Sequence, residues 1–122
     1  MARLCLTSER GTLLHGMYRG LRIKTKDTQY HVVVHSTDLQ SLRNDVELPV
    51  ILYVKLTSKV NKQDPRYSEK WGWFVGINHT IVLFGFTEDG RVDIGDPGMG
   101  REYWDIKSLE DLWHGQYACL IY

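Results

Sequence analysis

The stretch that most constrains the fold runs from Asn78 to Pro97 and reads NHTIVLFGFTEDGRVDIGDP. An apolar strand sequence precedes the polar turn residues Thr87 to Gly90, and a second strand sequence follows them. Runs of β-branched and aromatic residues on both sides of a Gly-containing turn are typical of a β-hairpin. The second half of the chain is therefore predicted to pair its strands antiparallel.

The hairpin carries an ionisable pair at its open end, His79 and Asp96. A two- or four-residue turn places Asp96 opposite Leu83 or Ile81 and on the same face as His79, whereas three or five residues place the two on opposite faces. An imidazole held by a carboxylate has its tautomer fixed, so its other nitrogen can take a proton from a nucleophile. In the alternative interpretation, which the spacing alone favours, His79 ends a strand and Asp96 supplies the turn side chain ahead of Pro97.

Apolar spacing, caps and breakers predict the remaining elements. A helix capped by Thr12 has Gly20 near its end, and Ser36-Thr37-Asp38 offers a cap for a second helix that contains Leu39 and Leu42 and ends at Asn44. The nearly continuous apolar run Pro49 to Leu56 is typical of a strand covered on both faces. Further predicted elements are strands over Tyr30 to Val34, Glu102 to Trp104 and Tyr117 to Tyr122, a helix from Ser108 through Trp113 to a stop at His114-Gly115, and a long surface loop over Thr57 to Gly72. Helices gather in the first half and antiparallel strands in the second, which predicts the α+β class.

Length and charge set the broad class of the protein. The 122 residues suit a single domain over 1–122, with a helical part at 1–48 and an antiparallel sheet part at 49–122. Fifteen basic residues balance fifteen acidic ones without a run of like charge, so neither nucleic acid nor an anionic membrane is a predicted partner. No stretch resembles a secretory signal or approaches the roughly 18 apolar residues of a membrane helix, so a cytoplasmic domain is expected.

Cysteine and histidine spacing predicts neither disulfides nor metal. Cys5 and Cys119 are too few for a disulfide framework, and Cys119 lies in an apolar terminal strand where a small buried side chain is expected. The remaining histidines share no ligand spacing, so no zinc site is predicted: His15, His31, His35 and His114. The glycines after the hairpin open no helix and form no phosphate-binding loop, so no cofactor is predicted.

The order of motifs in the second half resembles a known family. It resembles the C-terminal half of the bacteriocin-processing cysteine peptidases. The motifs that match are, in order, His79, Asp96-Pro97-Gly98-Met99-Gly100, Trp113-His114-Gly115 and the closing strand YACLIY. These papain-like domains are often fused to ABC exporters and cut leader peptides after a double glycine. The resemblance implies a papain-like half-barrel in which His79 is the general base and Asp96 its orienting partner.

The first half resembles the same family but lacks its nucleophile. Arg10-Gly11-Thr12 with Gly20-Leu21 looks like the family's second helix, and Leu48-Pro49-Val50-Ile51 looks like the lead into its central strand. The family's nucleophile is a Cys at the start of a long first helix, preceded by a Gln that helps form the oxyanion hole. Cys5 lies close to Gly11 and has no following Gly, so it is a weak candidate. The resemblance implies that the nucleophile segment is missing from this chain, and whether Met1 is the true start stays open.

Three functional interpretations therefore stay open. The first is a cysteine peptidase domain that hydrolyses peptide bonds if an upstream segment or a partner chain supplies a Cys. The second is an inactive peptide-binding or docking module of the same fold, and the third is an unrelated α+β domain. Trp71 and Trp73 could wall a peptide groove beside His79, although packing against the sheet is the favoured interpretation. A peptide is the predicted partner, the resemblance adds an ABC exporter, and the oligomeric state stays open.

Overall fold

The computed structural model describes residues 14–57, 73, 76, 78–96 and 99–121, with residues 14–17 and 78 described through their backbone alone. Within these residues the chain forms helices and strands in the following order: α1 (Leu14–Thr25), β1 (His31–Ser36), α2 (Leu39–Asn44), β2 (Val50–Lys55), β3 (Asn78–Phe86), β4 (Arg91–Asp96), β5 (Gly100–Asp105), α3 (Ile106–Leu112) and β6 (Trp113–Ile121).

The strands form one antiparallel sheet in the order β1-β6-β2-β3-β4-β5. The apolar run Pro49 to Leu56 becomes β2, which lies between β6 and β3 and buries most of its residues. A continuous apolar run at this position is expected, because side chains of both faces of a covered strand must leave water. β1 comes from the first half of the chain and pairs with β6, so it joins the same sheet. The predicted α+β class is confirmed.

The hydrophobic core includes alternate residues of the sheet and apolar residues of α2 and α3. Its fully buried members include Leu52 and Val54 of β2, Ile81 and Leu83 of β3, Val92 and Ile94 of β4, Leu42 of α2, and Leu109 and Leu112 of α3. Asp96 continues the alternation of β4 and so points to the same side of the sheet as Val92 and Ile94. Among the residues whose burial is described, it is the single buried charged side chain. A charge in this position requires hydrogen-bonding partners inside the protein.

The β3–β4 hairpin places Asp96 on this face by a route that the sequence did not predict. Three residues separate Thr87 from Arg91, whose backbones are hydrogen-bonded at 2.8 Å, and Gly90 adopts the positive φ of +82° that such a turn requires. This odd turn length alone would put His79 and Asp96 on opposite faces. A β-bulge between Leu83 and Gly85 adds one residue to β3 and shifts the register by one. The two changes cancel, so His79 and Asp96 lie on the same face, in the register that the sequence allowed for a four-residue turn.

The helix boundaries differ from the prediction at three ends. α1 runs past the buried Gly20 to Thr25, whose hydroxyl donates to the Leu21 carbonyl at 2.8 Å, because a single Gly costs a helix only about 1 kcal/mol. The predicted cap Thr12 lies outside the described residues. α3 begins earlier than predicted, because the Asp105 carboxylate accepts the Ser108 amide at 2.8 Å and caps it.

The end of α3 comes earlier than the predicted stop at His114-Gly115. Trp113 is extended, with φ −95° and ψ 133°, and pairs with Val54 of β2, so the Trp-His-Gly motif opens β6. The second helix starts and ends as predicted: of the three candidate cap residues, Asp38 caps α2 by accepting the Ser41 amide at 2.8 Å, and α2 ends at Asn44. Each described helix is too short or too polar to cross a lipid bilayer.

Candidate active site

His79 and Asp96 meet at the open end of the β3–β4 hairpin. His79 is the second residue of β3 and pairs with Val54 of β2, while Asp96 ends β4 and pairs with Gly100 of β5. The register beyond the bulge places Asp96 opposite Ile81, two residues from His79. The two side chains are therefore diagonal neighbours on the core face, at the point where the apolar residues of β3 end.

The His79 and Asp96 side chains are joined by a hydrogen bond of 3.0 Å between Nε2 and Oδ2. The Asp96 carboxylate is fully buried, whereas 11% of the His79 side chain is exposed to solvent. An ionised Asp96 carboxylate can only accept, and with it Nε2 is the donor of this bond while the lone pair of Nδ1 is left for another group. The pair thus has the geometry of a base whose ring orientation and tautomer are held by a carboxylate.

Asp96 accepts two further hydrogen bonds. Its Oδ2 also accepts the indole N–H of Trp73 at 3.1 Å, and its Oδ1 accepts the backbone amide of Met99 at 3.4 Å. The Met99 bond is the local turn bond that the alternative interpretation of Asp96 predicted, so one carboxylate serves both roles. Gly100 then turns the chain into β5 with a φ of +83°.

Trp73 lies inside the protein and not on an open groove. Its side chain is 1% exposed, and its ring lies 4.1 Å from the His79 ring, centroid to centroid, at an interplanar angle of 31°. This burial agrees with the favoured interpretation of Trp73, packing against the sheet, whereas a wall of a peptide groove would need exposed ring surface. Trp71, its predicted companion, lies outside the described residues. A buried indole needs an acceptor for its N–H, which is the sequence signal that could have pointed to Asp96.

The structure does not bring Cys119 to this pair. Cys119 is the single thiol among the described residues, and it pairs with Val33 across β6 and β1. The register places it opposite Val50 of β2, which pairs with Leu83 of β3, so it lies two strands across and four residues along from His79, roughly 16 Å away at ordinary strand spacing and rise. Cys5 lies outside the described residues.

We expect the Cys119 thiol to resist alkylation. Burial raises the pKa of Cys119, so less of the reactive thiolate is present at neutral and mildly alkaline pH than for a free cysteine. Iodoacetamide at pH 8, followed by peptide mass spectrometry, should modify Cys119 several-fold more slowly in the native chain than in guanidinium. Equal rates in the two states would contradict this protected environment.

The remaining histidines of the described residues lie apart from the His79–Asp96 pair. Among the described residues, no three His, Cys, Asp or Glu side chains lie close enough to share a metal ion. His35 lies on β1, where its ring is 5.5 Å from that of Tyr117, and His31 and His114 are exposed on β1 and β6.

Comparison with solved structures reveals the fold of the chain. The peptidase domain of Streptococcus mutans ComA superposes with a TM-score of 0.71 at 18% identity, covering 100% of this chain and 84% of that domain. The chain has the fold of that peptidase domain. A double glycine motif protease from an AMS/PCAT transporter, solved in complex with the leader peptide, shares this peptidase-domain fold with a TM-score of 0.68 at 15% identity, covering 97% of this chain and 66% of that one.

A further structure with the peptidase-domain fold is the peptidase domain of a Streptococcus ComA, described as a bi-functional ABC transporter of a quorum sensing pathway. It superposes with a TM-score of 0.68 at 18% identity and covers 98% of this chain and 73% of that one. No protein-family model and no curated protein sequence matches the chain. The six-stranded antiparallel sheet with short helices is thus the arrangement found in peptidase domains of ABC transporters.

Proposed function

We propose that this chain is a cysteine peptidase-like domain that acts on peptides, with His79 as general base and Asp96 as the group that orients it. The hydrogen bond of 3.0 Å between His79 Nε2 and Asp96 Oδ2 carries the proposal. Three observations support it: the Asp96 carboxylate is buried, the His79 imidazole is partly exposed, and the chain shares the fold of the ComA peptidase domain. The double glycine motif protease with the same fold suggests a leader peptide that ends in two glycines as the substrate class.

In the proposed reaction, His79 Nδ1 takes the proton of a cysteine thiol, and the thiolate attacks the carbonyl carbon of the peptide bond. The imidazolium then gives that proton to the leaving amine, and a thioester with the cysteine remains. Water hydrolyses the thioester with His79 again as base, which releases the acid and restores the thiol. The proposal takes the thiol from an upstream segment or a partner chain, with Cys5 as the weaker candidate.

A second candidate function is peptide binding without cleavage. It is favoured by the position of Cys119, whose distance of roughly 16 Å from His79 at ordinary strand spacing and rise excludes it as the partner thiol. An imidazole and a carboxylate without a nucleophile cannot form the thioester. The fold would then serve as a docking surface for an exported polypeptide.

The two candidates are separated by one fluorescent peptide of leader type with a central Gly-Gly. Anisotropy measures its binding to the native protein, and mass spectrometry measures cleavage after the second glycine. Binding with cleavage that a peptidyl vinyl sulfone blocks supports the peptidase, and the labelled peptide fragment names the cysteine, Cys5 included. Binding without cleavage or labelling supports the docking module. If the peptide is neither bound nor cleaved, both candidates are overturned.

We extend the proposal to an ABC exporter as partner, since the ComA and AMS/PCAT domains with this fold belong to transporters. Affinity purification of the tagged protein from detergent-solubilised membranes of its native cells should recover a transporter subunit. Recovery that the leader-type peptide does not alter would place the contact outside the peptide-binding region.

A further inference from the structure

We propose that Trp73 is a positioning residue for the His79–Asp96 pair, holding the carboxylate through its indole N–H and covering the imidazole with its ring. This inference rests on the proposed function, because it assigns to Trp73 the task of keeping His79 ready to act as a base. Two contacts carry it: the indole N–H to Asp96 Oδ2 at 3.1 Å and the ring contact with His79 at 4.1 Å.

The hydrogen bond from Trp73 restricts the rotation of the Asp96 carboxylate. Oδ2 accepts from both Trp73 and His79, and a carbonyl-type oxygen has two lone pairs, so both acceptor positions of that oxygen are used. Oδ1 is tied to the Met99 amide on the other side. Turning the carboxylate would break these bonds in a buried place where water cannot replace them. Trp73 thereby keeps a lone pair of Oδ2 directed at His79 Nε2.

The ring of Trp73 acts on the charge that His79 gains during the reaction. At a centroid separation of 4.1 Å and a tilt of 31°, the two rings are in contact. The face of an indole attracts a neighbouring cation, so it stabilises the imidazolium that forms when His79 takes a proton. Because Trp73 is 1% exposed, it also keeps water from one side of the Nε2 to Oδ2 bond.

Trp104 provides the contrast that separates positioning from ordinary packing. It is also fully buried, its ring lies 6.0 Å from that of Trp73, and its indole N–H also donates to a carboxylate, at 2.7 Å from Glu102. The bond from Trp104 ends on Glu102 of β5, whereas the bond from Trp73 ends on Asp96. Replacement of Trp104 therefore disturbs the same core without removing a donor to Asp96.

The test is NMR of the full chain labelled with ¹⁵N in its histidine and tryptophan side chains, in wild type, Trp73→Phe, Trp73→Leu and Trp104→Phe. In wild type, His79 should show one tautomer with its proton on Nε2. Trp73→Phe keeps an aromatic ring but removes the donor, so the Nε2 proton should exchange with water about tenfold faster, the factor expected for one hydrogen bond to a charged group, and both tautomers should appear. Trp73→Leu also removes the ring and should increase exchange further, whereas Trp104→Phe should leave the His79 signals unchanged.

A Trp73→Phe spectrum with wild-type His79 signals would overturn the inference. If Trp73→Phe does not fold, Asp96→Asn replaces it: the indole proton of Trp73 should move upfield because its acceptor loses its charge, while that of Trp104 stays in place. An unmoved Trp73 proton in Asp96→Asn would equally overturn the inference. No peptide is present in these measurements, so failure of the proposed peptidase or docking function leaves their result intact.

Discussion

Replacing His79 with Ala should lower the rate of peptide cleavage by the proposed peptidase on the order of a million-fold, as removal of the base of a catalytic triad does. The loss is expected because Nδ1 is the group that takes the thiol proton, and Asp96 can orient a ring but cannot reach the thiol in its place. Asp96→Ala should lower the rate on the order of 10⁴-fold, because it removes the acceptor of Nε2–H and with it the fixed tautomer and orientation of the His79 ring. Cleavage of the Gly-Gly peptide under single-turnover conditions measures both effects.

His35→Ala is the matched control for His79→Ala. His35 is an exposed histidine on β1, which is separated from β3 by β6 and β2. Its loss should leave cleavage within about two-fold of wild type, as expected of a surface site far from the chemistry. Thermal melts of the variants show that they are folded. Cleavage that survives in folded His79→Ala would remove His79 from the mechanism.

Gly115→Ala should reduce the free energy of unfolding by about 2–4 kcal/mol. This loss is the sum of two costs: an alanine is strained in a left-handed backbone conformation, and its Cβ clashes with a backbone atom. Gly115 has a φ of +97°, and a Cβ placed there would lie 2.8 Å from the backbone oxygen of Thr37. The backbones of Gly115 and Thr37 lie close together because the Thr37 amide donates to the Gly115 carbonyl at 2.8 Å, which connects β6 to the segment just before α2. The Trp113-His114-Gly115 motif therefore needs its glycine for the fold, and urea unfolding measures the cost.

Gly85→Ala is the matched control for Gly115→Ala. Gly85 lies at the β3 bulge without a positive φ, and a Cβ there would meet no atom within 4 Å. Its replacement should change the free energy of unfolding by no more than about 0.5 kcal/mol. Equal losses in the two variants would mean that Gly115 is not under special conformational demand.

Elements with local signals could be predicted from the amino-acid sequence. The apolar run of β2, the capped start of α2 after Ser36-Thr37-Asp38 and the two strands of the hairpin are confirmed in place, because burial, capping and turn formation each depend on residues near one another in the chain. For His79 and Asp96, the period of two along a strand allowed either one shared face or opposite faces, depending on the length of the turn. The double role of Asp96, as turn residue and as partner of His79, was left as a choice between alternatives.

Tertiary structure alone decided how these parts meet. The odd turn would have separated His79 from Asp96, and the bulge between Leu83 and Gly85 reverses that outcome because register depends on the whole ladder and not on the turn. Trp73 becomes a donor to Asp96, 23 positions away in the chain, because packing buries its indole where a carboxylate is the acceptor. The separation of Cys119 from His79 likewise follows from strand order. Long-range pairing has no local signature, so sequence predicted the residues of the pair while the sheet fixed their neighbours.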